Sequence, residues 1–399
     1  MRVARGTVRA VNALTARWAG VADGGTVFSA AGVWPLPALL ADGAGGAARA
    51  ELADAVGLPA DRSAAAAREL LGGLAAMRGV DSALGLWTKR TLELREAWAA
   101  GLPAEAHGVL TGDLDADGAA LDAWAAKRTG GLIERMPVAL TDDTELVLAS
   151  ALALRTEWLR PFDEVPMESA YWSDRVPLGL FRSTALLDRI GVADTPDGHV
   201  TRLKVLGNAA VDVHLLLGEE GMTSGQVLGA GVGILDGRHP VVPGDRLPYG
   251  EPGPGLSVAK ERCTSPQPPS LDVTTVAYDM SAHHDLLRLH RLFGLTTARD
   301  SRVGHFPGIS EFPLAIGSAE QSTMARFGAR GFRAAAVTAF AAIPGGAAPA
   351  LRYVTTTITA RFDRPFAFLA LHRHTGLVLA AGWVTEPESY PGQDQGDWG

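Results

Sequence analysis

Cysteine is almost absent from this chain, because Cys263 is the only one among 399 residues. A single thiol excludes an internal disulfide and a cluster of thiolate metal ligands. Positive charge is also scarce, since 36 basic residues face 44 acidic ones and the net charge is −8. This deficit argues against a nucleic-acid partner, which requires a basic face, and against an anionic membrane surface.

Long apolar runs are missing as well. No segment reaches the roughly 20 apolar residues that are needed to cross a bilayer. Arg5, Arg9 and Arg17 interrupt the N-terminal stretch, so it lacks the apolar core of a secretory signal and we expect a cytoplasmic protein by default. What remains is a globular composition, 47% hydrophobic and 20% charged, in a chain whose length suits one large or two modest domains.

Apolar periodicity predicts mostly helices early in the chain and mostly strands late in it. Apolar residues recur at helical spacing near the N-terminus, at Val8, Val11, Leu14 and Trp18. A helix is also predicted over 285–293. The uninterrupted apolar run 146–154 predicts a strand buried on both faces, and 366–371 with 377–381 predicts a β-hairpin. This order favours α+β architecture with large sheets over alternating βαβ units.

One stretch breaks the pattern. From about 239 to 270 the sequence is dense in Pro and Gly and has little apolar periodicity. Strand-like residues resume at Leu271, so we predict a long irregular insertion there rather than a linker between domains.

Ser257 and Lys260 fit the S-x-x-K pattern of penicillin-recognising hydrolases. That chemistry needs the serine at the start of a helix, so that the lysine one turn later can take its proton. Here the pair lies in the Pro- and Gly-rich stretch, which favours a chance match and leaves a serine hydrolase as a remote alternative. Gly229, Gly231 and Gly233 resemble a dinucleotide loop but lack its spacing, and we predict a flexible loop.

Two groups of histidines are candidate metal ligands. His283 and His284 lie beside Asp285, and His372 and His374 would share one face of a strand. Neither group has a third ligand that the sequence identifies, so we predict no metal site and no cofactor.

The segment 331–346 is rich in small residues and poor in charge, and it ends in a Pro-Gly-Gly break. Such a segment can lie exposed as a loop, which composition alone favours. It can also enter a sheet as a new strand, because small side chains fit between existing strands without overpacking them.

Several segments, in matching order from end to end, resemble the serpin family of protease inhibitors. The similar motifs are W-x-x-x-R-T-x-G-x-I from Trp124 to Ile133, W-x-x-P-F-D from Trp158 to Asp163, F-P-G-I-S at 306–310 and F-D-R-P-F at 362–366. The likeness covers nearly the whole chain and is weakest between about 164 and 270. It implies one domain, 1–399, with the α+β serpin fold of helices packed on large sheets.

The resemblance also implies a function. Serpins carry an exposed reactive-centre loop on a metastable fold, and here that loop would span about 329–354. A target protease attacks the loop and forms an acyl-enzyme, and the loop then inserts into the main sheet and distorts the protease. The implied partner is a serine or cysteine protease. The chain itself is expected to be a monomer that is not an enzyme, and the family analogy also allows an extracellular site of action.

Matching positions assign the functional residues. The hinge would consist of Gly331, Phe332, Arg333, Ala334, Ala335, Ala336, Val337, Thr338 and Ala339. The usual loop length puts the cleaved bond at Gly345–Gly346, whereas counting back from the closing strand puts it at Arg352–Tyr353. The residues that govern sheet opening would be Ser29, Ser150, Trp158 and Gln321.

Several positions depart from the pattern of inhibitory members. Bulky Phe332 stands where a small Thr or Ser usually follows the hinge glycine, and Ala329 and Arg330 stand where an acidic residue usually precedes the hinge. Ser150 and Gln321 replace an asparagine and a histidine, and Gly32 replaces a serine. These changes keep open a second function, that of a serpin-fold protein that binds a partner or ligand without loop insertion.

Overall fold

The computed structural model describes residues 3–391, except for 104, 105, 137, 139, 143, 301 and 333–351. Within the described residues, most helices lie in the first third of the chain. Their bounds are α1 Arg5–Ala19, α2 Ala30–Val33, α3 Pro35–Gly43, α4 Gly46–Val56, α5 Ala60–Ala75, α6 Glu96–Ala99, α7 Leu114–Arg128, α8 Ser224–Leu235 and α9 His290–Phe293.

Strands occupy most of the remaining described chain. Their bounds are β1 Thr26–Phe28, β2 Val80–Lys89, β3 His107–Leu110, β4 Leu146–Leu154, β5 Thr156–Glu157, β6 Asp163–Pro166, β7 Leu178–Thr184, β8 Ile190–Thr195, β9 Gly198–Val205, β10 Val211–Gly218, β11 Val241–Pro243, β12 Gly250–Gly253, β13 Leu256–Cys263, β14 Ser270–Val276, β15 Tyr278–Asp285, β16 Ser318–Phe327, β17 Gly331–Phe332, β18 Tyr353–Arg361, β19 Phe366–His372 and β20 Leu377–Val384.

The described strands form three sheets. Sheet I has the order β1-β20-β19-β10-β9-β8-β11, and sheet II has the order β12-β13-β18-β14-β7-β6. Sheet III has the order β3-β2-β4-β16-β17-β5, and β15 pairs with the other edge of β16. A continuous apolar core that includes residues from Val3 to Val384 joins the described helices other than α7 to these sheets. The predicted α+β architecture is confirmed.

Apolar patterning explains the two elements that were predicted most directly. The apolar stripe of α1 is buried, with Trp18 at 1% exposure. β4 is buried at every position because its two faces pack against different clusters. Leu148 faces the main core, whereas Ala149 packs with Leu121 of α7 on the outer side of sheet III.

The predicted irregular insertion over 239–270 is wrong, because this stretch holds β11, β12 and β13. β13 pairs along its whole length with β18, from Leu256 opposite Ala360 to Cys263 opposite Tyr353. Its apolar signal is weak because only its first and third residues are buried. The prolines and glycines lie in turns and in short edge strands, where they do not interrupt a central ladder.

Two smaller predictions also need correction. The helix predicted over 285–293 is only α9, because the Asp285 carboxylate accepts a hydrogen bond from the Leu287 N–H at 2.8 Å and makes a turn instead. The three glycines predicted to form a flexible loop lie in α8. A Cβ on Gly231 would lie 2.3 Å from Leu216 Cδ1, so glycine lets α8 pack closely on sheet I.

A pair of glycine substitutions tests how β13 joins the fold. Gly255, before β13, has φ +61, and a Cβ there would lie 2.3 Å from the Arg361 carbonyl oxygen. Gly376 has φ +70, and nothing lies within 4 Å of its Cβ position. Gly255→Ala and Gly376→Ala both carry the left-handed backbone cost of roughly 1–2 kcal/mol, and Gly255→Ala adds overpacking of roughly 1–3 kcal/mol. We expect a lower urea midpoint for Gly255→Ala, and equal midpoints would contradict the close approach.

Candidate functional site

Sheet III contains a seam between two parallel strands, β4 and β16. They pair directly from Val147 opposite Ser318 to Leu152 opposite Thr323. A parallel ladder is slightly less stable per residue than an antiparallel one. A strand that entered the seam antiparallel to both neighbours would therefore exchange one parallel ladder for two antiparallel ladders.

One end of the seam is already occupied by β17. There β16 and β5 lie apart, and Phe332 pairs with Phe327 on one side and with Thr156 on the other. A Cβ on Gly331 would lie 2.3 Å from the Thr156 carbonyl oxygen, so glycine permits this close approach. The two residues of β17 thus make the first step of a strand that is antiparallel to both neighbours.

The turn between β16 and β17 is held by residues 158–162, which we call the clamp segment. The Trp158 backbone N–H donates to the Arg330 carbonyl at 2.9 Å, and the Trp158 indole Nε1 donates to the Gly328 carbonyl at 2.9 Å. The Phe162 N–H donates to the Ala329 carbonyl at 2.8 Å. Three hydrogen bonds therefore fix the turn in which β17 begins.

Phe332 enters a buried aromatic cluster. Its side chain is 2% exposed, and its ring centroid lies 6.2 Å from that of Phe368. Tyr278 stacks on Phe327 and on Phe368, with centroid distances of 5.3 Å to each. Burial raises the pKa of Tyr278 well above its usual value, so the phenol stays neutral. Ring packing of this kind anchors the start of β17 in the core.

A polar cluster lies beneath the closed part of the seam. The Ser29 N–H donates to Gln321 Oε1 at 2.9 Å, and Gln321 Nε2 donates back to the Ser29 carbonyl at 2.8 Å. Ser29 Oγ donates to the Leu379 carbonyl at 2.6 Å and accepts from the Gly32 N–H at 3.0 Å, which caps α2. The cluster therefore ties β16 to α2 and to sheet I.

Ser150 is the member of this cluster whose hydroxyl is unsatisfied. Its Oγ is buried and makes no hydrogen bond with any described residue. A Cβ on Gly32 would lie 2.9 Å from this Oγ and 3.4 Å from Gln321 Nε2, so glycine leaves room around the hydroxyl. An unpaired buried hydroxyl costs about 1–3 kcal/mol. The closed seam therefore contains a local destabilising feature.

Glu320 is a titratable group on the other face of β16 that the sequence did not reveal. Burial, and then the charge of Asp285 directly opposite on β15, raises the pKa of Glu320 to about 7 from its usual 4.5. Because the pKa is raised in the folded chain, this carboxyl favours folding progressively as the pH falls through 7 towards 4.5. Two carboxyl groups therefore face each other on the outer side of the seam, and burial together with the charge of Asp285 favours the protonated form of Glu320.

Three of the four residues assigned to sheet opening lie together. Ser29, Ser150 and Gln321 surround Gly32, whereas Trp158 lies in the clamp segment at the end of the seam. Phe162 belongs to a sequence motif, but its bond to the turn was not predicted. The sequence signal for that role was the presence of two aromatic residues, Trp158 and Phe162, in the motif W-x-x-P-F-D.

The exposed loop was predicted over about 329–354, but most of the described residues at both ends of this range belong to a turn or a strand of the sheets. Residues 329–332 form the turn and β17, and Tyr353 begins β18, where it pairs with Cys263. Arg352 is exposed. The predicted hinge positions Arg333 to Ala339 and the predicted bond Gly345–Gly346 lie outside the described residues.

The serine hydrolase alternative is wrong. Ser257 and Lys260 lie on β13 rather than on a helix, and residues three apart on a strand face opposite sides. The Lys260 ammonium lies 5.0 Å from the centroid of the Tyr249 ring. The lysine therefore has no geometry for taking the proton of Ser257.

The histidine candidates have other partners. His283 Nδ1 lies 2.9 Å from Ser322 Oγ, and His284 Nε2 lies 2.9 Å from the Val27 carbonyl oxygen. Among the described residues, no group of three or more His, Cys, Asp and Glu side chains is arranged to hold a metal ion. The described helices also include none with the length and apolarity to cross a membrane.

Comparison with known proteins gives a consistent family match. Residues 7–175 match the family model described as "Serpin (serine protease inhibitor)". The rice (Oryza sativa subsp. japonica) protein "Putative serpin-Z6C" is 26% identical to this chain, and the match covers 94% of each.

Solved structures share the fold at low sequence identity. Human thyroxine-binding globulin, complexed with thyroxine, is 16% identical with a TM-score of 0.72, over 96% of this chain and 99% of that one. Tengpin, a thermophilic serpin in its native state, is 13% identical with a TM-score of 0.72, over 95% and 93%. Mouse protein-Z dependent protease inhibitor is 12% identical with a TM-score of 0.69, over 96% and 97%. The solved structures show that this chain has the serpin fold, and the family model over residues 7–175 and the rice relative show that its sequence is similar to those of serpins.

Proposed function

We propose that this chain inhibits a serine or cysteine protease as a suicide substrate. The nucleophile of the protease attacks a carbonyl carbon in the segment between β17 and β18, and an acyl-enzyme forms as the amine of the next residue leaves. The freed part of the loop then enters the seam before water cleaves the acyl bond. The family description, serine protease inhibitor, agrees with this activity in general terms.

Strand register supports the proposal most strongly. If β17 is continued in its two present registers, each further loop residue falls between one residue of β16 and one of β4. The resulting sets are Ala334 between Ala325 and Leu154, Ala336 between Thr323 and Leu152, and Thr338 between Gln321 and Ser150. Thr323 and Leu152 already pair across the closed seam, and so do Gln321 and Ser150. Registers fixed at the hinge therefore agree with the register along the seam.

The side chains of the loop suit those positions. In an inserted strand, alternation would turn Ala334, Ala336 and Thr338 to the same core face as Phe332, where small residues avoid overpacking. Thr338 would reach the level of the unsatisfied Ser150 hydroxyl, beside the space that Gly32 leaves. A threonine hydroxyl can donate or accept, so insertion would supply the missing hydrogen bond.

The energy of insertion is sufficient to do mechanical work. Replacing the one parallel ladder by two antiparallel ladders adds about ten hydrogen bonds, at roughly 0.5–1.5 kcal/mol each. The total is comparable to the net stability of a whole domain, about 5–15 kcal/mol. The native chain is therefore expected to be much less stable than its cleaved and inserted form.

We propose that cleavage occurs near Gly345–Gly346 rather than at Arg352–Tyr353. Tyr353 belongs to β18 and is paired with Cys263. A protease binds its substrate as an extended segment whose backbone is free, and a residue already paired in a sheet offers a poor substrate. The region around 345–346 also leaves enough loop to fill the seam from residue 333 onward.

A second candidate function is binding of a partner or ligand without insertion. It is favoured by Phe332, a large residue whose ring is buried against the aromatic cluster at the point where the loop would have to begin moving. A human relative in fold, thyroxine-binding globulin, is complexed with thyroxine. Both functions use the same fold, and they differ in the fate of the loop after it is cut.

Limited cleavage separates the two functions. The native chain is treated with elastase-type, subtilisin-type and papain-type proteases, and its melting temperature is compared before and after the cut. Insertion is expected to raise the melting temperature by roughly 10 °C or more, because about 10 kcal/mol is gained in a chain of this length. Denaturing gels are expected to show a covalent complex with at least one protease. A cut loop with an unchanged melting temperature, and no complex, would leave the binding function.

A matched pair of variants tests the register. Ala336→Arg puts a guanidinium between Thr323 and Leu152 on the core face, where an unpaired charge is costly to bury. Ala348→Arg puts the same side chain beyond the proposed cleavage site. We expect both variants to be cut, with the rise in melting temperature at least halved for Ala336→Arg and unchanged for Ala348→Arg. A full rise for Ala336→Arg would refute the proposed register.

A further inference from the structure

A basic cavity lies behind the clamp segment. Its volume is about 80 Å³, and it is lined by Leu159, Arg160, Arg182, Thr184, Leu186, Arg189, Lys204 and Leu206. Four of these lining residues are cationic, and none carries a carboxylate. So many like charges around one small space repel one another unless an anion lies between them.

Arg182 is the buried centre of this group. It is 9% exposed, its Nη1 donates to the Arg160 carbonyl at 2.7 Å, and its guanidinium carbon lies 4.2 Å from the centroid of the Phe162 ring. Its Nε is buried and has no hydrogen-bond partner among the described residues. Burial, followed by the charges of Arg160 and Arg189, lowers the pKa of Arg182 to about 10. A buried charged donor without an acceptor is costly, and a bound anion would remove that cost.

The surrounding cations are only partly compensated. Arg189 pairs with Asp188, and Arg160 Nη1 donates to the neutral hydroxyl of Thr184 at 2.9 Å. Burial and then the charge of Arg202 lower the pKa of Lys204, against the smaller opposing effects of Asp188 and Asp212. The cavity therefore keeps an excess of positive charge, although the whole chain carries a net charge of −8.

We propose that this cavity binds a small tetrahedral oxyanion, phosphate or sulfate, through Arg182 at its centre and the side chains of Arg160, Arg189 and Lys204 around it. Guanidinium groups match such oxygens with directed, charge-assisted hydrogen bonds. The volume suits an ion of this size, because sites for larger organic ligands usually occupy about 300–1,000 Å³.

The rim of the cavity favours a free ion over a charged polymer. Leu159 and Leu186 lie there with exposed fractions of 57% and 36%. These apolar side chains interrupt the basic surface, whereas a polyanion is bound along a continuous basic stripe. The occupant is therefore a free oxyanion that enters the cavity whole.

An oxyanion bound in this cavity would stabilise the clamp segment. Arg160 lies within that segment, between Trp158 and Phe162, whose N–H groups hold the turn before β17. An ion that bridges Arg160 to Arg182 of β7 ties the clamp segment to sheet II. This consequence concerns the native chain and does not depend on loop insertion.

Titration with inorganic phosphate tests the site in the full chain. Calorimetry measures binding against sodium chloride of equal ionic strength, and peptide-level hydrogen exchange follows the backbone of the clamp segment. We expect saturable binding, with slower exchange in peptides that contain Trp158 and Phe162, because their hydrogen bonds open less often. Sulfate is expected to compete with phosphate.

Two double variants with the same change in net charge distinguish this site from a general salt effect. R189Q/K204Q removes two cations of the lining whose side chains are partly exposed, and we expect phosphate affinity to fall at least about tenfold. R175Q/R302Q removes two exposed arginines elsewhere and should bind as the unaltered chain does. Equal affinity in both double variants, or no saturable binding to the unaltered chain, would overturn the proposal. Binding of a sulfated oligosaccharide without binding of phosphate would also overturn it.

Discussion

Two parallel strands, β4 and β16, pair along most of their length, and beyond that pairing the two residues of β17 lie between β16 and β5. The proposed insertion depends on this junction, where the direct pairing ends and β17 begins. Gly331 and Phe332 are antiparallel to both neighbours, so they set a direction and a register that the next residues of the chain would keep. The closed part of the seam carries an unsatisfied hydroxyl at Ser150. The parallel ladder between β4 and β16 is thus less favourable than the two antiparallel ladders that a further strand between them would form.

The surroundings of the junction hold it in this intermediate arrangement. The clamp segment bonds the turn before β17, and the ring of Phe332 lies within the aromatic cluster. The reciprocal bonds between Ser29 and Gln321 join residues 292 positions apart in the chain. Behind the clamp segment, four cationic side chains line the cavity that we propose as a site for a small anion. Opening the seam requires the ladder between β4 and β16 to part, whereas the contacts around β17 can stay in place and keep its register.

Sequence patterns were sufficient wherever a local signal decided the structure. The helical stripe that ends at Trp18, the apolar run of β4 and the β19–β20 hairpin each follow from residues close together in the chain. β13 was missed because its place depends on pairing with β18, about a hundred residues later. The residues assigned to sheet opening were predicted from family motifs, but the unsatisfied Ser150 hydroxyl was not. The position of Glu320 opposite Asp285 was not predicted either. Both features depend on the register between neighbouring strands, which residues far apart in the chain decide.

A crystal structure of the chain after loop cleavage is the sharpest test of strand insertion. It should show residues 333–341 as a strand between β4 and β16, with Thr338 level with Ser150 and Gln321 and its hydroxyl bonded to Ser150 Oγ. Direct pairing of Ser150 with Gln321 in the cleaved protein, as in the native chain, would rule insertion out.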